Sequence, residues 1–160
     1  MSGQDSTGTA APSRANRGRA RRVEPGPVYI VTVRLAAGRW KLTDGWSARR
    51  VLAELDRLHE LRWAKVHFSV VMPDHVTVVL QPLSPRTLAQ VVSEFKQRTS
   101  RAFNRNRAAR LWTAQYNRHQ LRADEKLPDA IRYCWYGPAR AGLVAKPADY
   151  PFWRSRYPLP

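Results

Sequence analysis

The chain has 160 residues, enough for one domain with a core and too few for two of ordinary size. Its 28 lysines and arginines against 12 acidic residues give a formal net charge of +16, which favours a polyanionic partner; a ribosome-associated role and a membrane surface are weaker alternatives. One cysteine, Cys134, excludes an internal disulfide and a cysteine-rich zinc site, and no apolar run nears the ~18 residues that span a bilayer, so a cytoplasmic protein is expected.

Residues 1–27 are rich in Gly, Ser, Ala, Pro and Arg, with Arg14, Arg17, Arg19, Arg21 and Arg22 close together and no apolar period. That composition predicts a disordered basic arm, which either embraces nucleic acid or is simply a solvated tail. A single folded domain is expected over 28–160.

The β-branched and aromatic run from Val28 to Leu35 predicts a strand. Ala48, Val51, Leu52, Leu55 and Leu58 then recur at helical spacing, with Asp44 or Ser47 as the N-cap. Trp63 to Met72 and His75 to Gln81 read as strands joined by the Pro73-Asp74 turn, a hairpin. A second helix carries Leu88, Val91, Val92, Phe95, Thr99 and Phe103 on one face, with Ser84-Pro85 as its cap and first helical position. Leu111 to Leu121 lacks a helical period and predicts a short strand or two. A third helix starts between Asp124 and Leu127, with Pro128 in its first turn, Leu127, Ile131 and Cys134 as its stripe, and Gly137-Pro138 as its stop. The order β-α-β-β-α-β-α is that of an α+β, ferredoxin-like split β-α-β sandwich with an added C-terminal helix.

Alternation along the third strand places His75, Thr77, Val79 and Gln81 on one face and Val76, Val78 and Leu80 on the other. On the preceding strand His67 and Ser69 alternate with the apolar residues. A lone histidine beside a turn is more often hydrogen-bonded structure than a ligand. The stretch Val71-Met72-Pro73-Asp74-His75-Val76-Thr77-Val78-Val79-Leu80 nevertheless resembles the segment of REP-associated tyrosine transposases in which two histidines flank one hydrophobic residue, the HUH motif. Phe95-Lys96, then Leu111-Trp112 with Tyr116, His119 and Arg122, then Tyr133-Cys134-Trp135-Tyr136-Gly137-Pro138 and Ala141-Gly142-Leu143-Val144 resemble the same family in the same order, as does Asp149-Tyr150-Pro151. The resemblance runs through residues 28–157.

It implies a ferredoxin-like fold, a divalent metal (Mg or Mn) that polarises a phosphate of single-stranded DNA, and a nucleophilic tyrosine at Tyr133 that links covalently to the strand. A phenol, with a pKa of about 10, needs such help at neutral pH. The first HUH histidine is His75. The second position is Thr77, and the third ligand position, usually an amide, is Gly137. A hydroxyl is a poor replacement for imidazole and glycine has no donor side chain, so metal-dependent strand cleavage and joining is expected to be weakened or lost. His119, Asp74 and Asp129 are the residues from which a rearranged metal site could be built, with His75 and His119 as its imidazoles.

Lys96, Arg98, Arg101, Arg105, Arg107 and Arg110 run from the second helix into the following loop and suit phosphate contacts. Trp112, Tyr116, Trp135 and Tyr136 are candidate platforms for unpaired bases, with core packing as the competing role. The partner expected from the resemblance is single-stranded or hairpin DNA, with a homodimer possible on the same ground. Two alternatives stay open: a working transposase with a rearranged metal site, and a ferredoxin-like RNA-binding module.

Overall fold

The computed structural model describes residues 26–36, 41–103 and 110–160. Nearly all of the predicted basic arm, with Arg105 and Arg107, therefore lies outside the described residues.

Five strands form one antiparallel sheet: β1 (Tyr29–Arg34), β2 (Ala64–Val71), β3 (His75–Pro82), β4 (Asn117–Gln120) and β5 (Trp153–Ser155). Their spatial order is β4-β1-β3-β2-β5. The first four strands have the ferredoxin-like arrangement the element order predicts. The fifth extends the sheet beyond β2 and was not foreseen, because three residues carry too little pattern to register as a strand.

Helices α1 (Trp46–Glu60) and α2 (Leu88–Phe103) cover one face of the sheet, and α3 (Leu127–Trp135) lies on the other. The strand alternation explains this division. Val76, Val78 and Leu80 of β3 join the larger core with Val51, Leu55, Val91 and Phe95 of the two long helices. Val79, pointing the other way, packs with Phe68, Val70, Ile131, Cys134 and Trp135. Burying an aliphatic side chain of this kind contributes about 1.5–3 kcal/mol, so each layer holds its helix in place through several such contacts.

Local chemistry sets the helix ends. Asp44 accepts from the Ser47 amide at 2.7 Å and the Ser47 hydroxyl at 3.0 Å, which makes Asp44, of the two candidates, the residue that satisfies the start of α1. The predicted Ser84-Pro85 cap is displaced by three residues. Thr87 and Gln90 bond reciprocally, amide to side chain in each direction, and α2 begins at Leu88. Pro128 does occupy the first turn of α3, whose missing N–H costs nothing there.

α3 does end at Trp135, just before Gly137-Pro138, but the chain does not leave the helical path there. After α3 ends, Gly137–Arg140 form one further helical turn, α4, because proline at the start of a new turn needs no amide partner. A second departure concerns β2, where the register shifts between Val66 and Phe68. That irregularity breaks the period of two: Ser69 is buried on the side of Val66, while His67 reaches Gln81 at 3.4 Å. His67 and Ser69 therefore do not share a face.

Candidate functional site

The β2–β3 turn puts His75 at the very start of β3. Met72 donates to the His75 carbonyl at 2.8 Å, and Leu35 and Leu42 donate to the carbonyls of Asp74 and Pro73, so the turn is held from three sides. His75 stands opposite Arg34 and Thr77 stands opposite Thr32 on β1. On the same face α3 docks through Ile131, Cys134 and Trp135, which leaves Tyr133 on the outward flank, 64% exposed.

These elements enclose a shallow cleft of about 250 Å³ whose walls include His75, Thr77, Tyr133, Gly137 and Arg140. His75 and Thr77 are thus brought together with Tyr133 and Gly137, residues far along the chain that the family resemblance singled out. Asp74 and His75 are joined by a 2.7 Å contact between Oδ1 and Nδ1. That hydrogen bond outweighs the opposing effect of burial and holds the Asp74 carboxyl below the usual carboxylate range. With Nδ1 engaged, Nε2 is the ring atom of His75 left for other partners.

Arg140 was missed by sequence reasoning. Its guanidinium carbon lies 3.9 Å from the centre of the Tyr133 ring, and Nη1 donates to the Tyr133 carbonyl at 2.7 Å. A side chain at Gly137 would begin 3.8 Å from Arg140 Nη2 and meets nothing else within 4 Å. The guanidinium therefore borders the space vacated at Gly137. The one available signal was Arg140 standing three residues after the glycine, a spacing that brings two side chains together only if helix continues past Pro138.

The other predicted residues are dispersed. His119 lies on β4 opposite Ile30, four residues along β1 from the position opposite His75 and on the far side of that strand. Roughly 16 Å thus separates the two backbones. His119 is hydrogen-bonded to Glu125 at 2.9 Å instead. Asp129 pairs with Arg132. Among the described residues no three His, Cys, Asp or Glu side chains cluster as a metal site. The donors present do not fit a divalent metal. The cleft wall offers one imidazole, one neutral hydroxyl, the Tyr133 phenol and the buried, protonated Cys134 thiol but no carboxylate, and the Arg140 guanidinium beside them repels a second cation.

The basic cluster divides in the same way. Lys96 donates to the carbonyls of Thr113 and Ala114 at 2.9 and 3.1 Å, tying down the segment after α2. Arg98 sits between Glu54 at 3.3 Å and Glu94 at 3.4 Å, the first an ionic contact outside hydrogen-bond geometry. Both side chains are committed to structure, whereas Arg101 and Arg110 are exposed. Of the four candidate platforms, Trp112 and Trp135 are buried in the core and Tyr116 is half-buried; Tyr136 is exposed.

No protein-family model matches the chain, and no curated protein matches it. Among solved structures it is similar to a REP-associated tyrosine transposase bound to a REP hairpin, with a TM-score of 0.67 and 20% identity over 83% of this chain and 79% of the other. The sheet order, the helix on the opposite face and that match agree: this chain has the fold seen in a REP-associated tyrosine transposase.

Proposed function

We propose that this protein binds single-stranded or hairpin DNA through the Tyr133 cleft, aided by exposed arginines elsewhere on its surface, and that its strand-cleaving chemistry is weakened or lost. The observation that carries the reading is the meeting of His75, Thr77, Tyr133 and Gly137 in one cleft of a transposase-like fold. The solved structure of similar fold holds a REP hairpin, which supports DNA as the partner class. The net charge of +16 supports any polyanion, and the exposed Arg101 and Arg110 supply phosphate contacts outside the cleft.

The donor set is what supports impaired cleavage. Thr77 offers an uncharged oxygen, Gly137 offers no side chain, and His119 is too far from His75 to replace either. Losing even an outer partner of a metal site typically costs about 10- to 100-fold, and here two direct donors are changed. Tyr133 itself remains exposed and accessible to a strand.

The test is incubation of the full chain with hairpin oligonucleotides in Mg²⁺ or Mn²⁺, followed by denaturing electrophoresis. Retention of the hairpin without a covalent adduct is expected. An abundant metal-dependent adduct that vanishes in Tyr133→Phe would show a working enzyme and overturn the impaired reading. Competition between the hairpin and an RNA of equal length separates the DNA assignment from RNA binding; preference for RNA would refute it.

A further inference from the structure

We propose that the cleft is a metal-independent phosphodiester site in which the Arg140 guanidinium takes the charge-neutralising place that a divalent cation holds in metal-dependent sites. This rests on the DNA-binding reading above and deepens it by naming the group that meets the backbone.

Three observations converge. Gly137 leaves an open space in the cleft wall, and the atom nearest to where its side chain would start is Arg140 Nη2 at 3.8 Å. The guanidinium is aimed rather than free: it is stacked on the Tyr133 ring at 3.9 Å and anchored to the Tyr133 carbonyl at 2.7 Å through Nη1. No ion pair among the described residues involves Arg140, although nine arginine–carboxylate pairs are formed elsewhere among them. Its charge is therefore not matched by a carboxylate.

A guanidinium has five N–H donors in a planar fork, and the Tyr133 carbonyl uses only one nitrogen of the fork. Nε and Nη2 remain for the two non-bridging oxygens of a phosphodiester, the geometry in which arginine outperforms lysine. The Thr77 hydroxyl in the same cleft can donate to a third oxygen, which histidine at that position in its metal-ligating form would not do. The two changes that spoil a metal site thus suit an anion: one replaces a lone pair with a hydroxyl donor, and the other makes room beside a permanent cation.

The test measures binding of a DNA hairpin with a single-stranded tail in EDTA and in Mg²⁺, together with nitration of Tyr133 by tetranitromethane, with and without DNA. Wild type is expected to bind equally in both buffers and to lose Tyr133 nitration when DNA is added in EDTA. Arg140→Gln should lower affinity roughly tenfold, the scale of one charged bidentate contact, and abolish the protection of Tyr133. Arg140→Lys should restore only part of both. Each variant is compared with its own DNA-free nitration rate and checked by circular dichroism, so that unstacking of the Tyr133 ring is not mistaken for loss of DNA. Protection that appears only with Mg²⁺, or that survives Arg140→Gln, overturns this proposal. DNA binding without protection of Tyr133 overturns it, and with it the cleft as the route of binding, but leaves DNA as the partner; absence of DNA binding in every arm refutes both readings.

Discussion

Thr99 shows how much one buried hydroxyl decides. It is fully buried in α2, donates to the Phe95 carbonyl at 2.9 Å, and accepts the Trp112 indole N–H at 2.7 Å. Thr99→Val keeps the volume but strands the indole N–H, so a loss of about 1–3 kcal/mol is expected from urea unfolding. An unchanged midpoint would mean that Trp112 finds another acceptor. Cys134 also belongs to the cleft wall, yet burial pushes its thiol up to about 11. The native protein should resist iodoacetamide at neutral pH and react only on denaturation, because the thiolate is the nucleophile. Rapid native labelling would contradict the packing of α3. The periodic core residues were legible in the sequence. The partners of Thr99 and the neighbour of Gly137 were not, since they depend on contacts across the fold.

Between elements, charge adds to the apolar packing of α1 and α2. Arg98 bridges Glu54 and Glu94 with only 19% of its side chain exposed, so it contributes stability more than binding. Arg98→Ala should destabilise by about 1–3 kcal/mol in thermal or urea unfolding, whereas Arg101→Ala should leave stability nearly unchanged and weaken DNA retention. The reverse pattern would restore Arg98 to the DNA-binding group. The junction of α1 and β2 gives a pH dependence. His59 Nδ1 accepts the Val66 amide at 3.0 Å, a role open only to the neutral ring. Burial, then the positive charge of Arg156, lowers its pKa from 6.5, and burial does the same to His67. The unfolded chain therefore binds protons first as pH falls. Stability from this source is present above about pH 6.5 and is lost as pH drops through the imidazole range. His59→Asn retains an acceptor without titrating there, and its stability profile should be flatter between about pH 7.5 and about pH 5.5. An unchanged slope would acquit His59.

At the scale of the whole molecule, the sheet separates two jobs. One face buries the larger core beneath α1 and α2; the other carries α3 and the cleft. Binding by so basic a chain should fall steeply with salt, and neutralising Arg101 or Arg110 should reduce the log–log slope by about 0.7 for each single-strand phosphate that the variant no longer neutralises. A slope identical to wild type would place those arginines outside the interface. By itself the sequence determined the order of the first seven elements, the ferredoxin-like arrangement, the two faces of β3 and the grouping of His75, Thr77, Tyr133 and Gly137, because periodicity and family-like motifs are written locally along the chain. Only the tertiary structure decided which basic residues are engaged by internal partners, that β2 breaks its alternation at His67, that His119 stands apart, and that α4 returns Arg140 to the ring of Tyr133. Those outcomes depend on strand register and on which polar atoms meet across space, and neither is encoded in the spacing of residues within a single element.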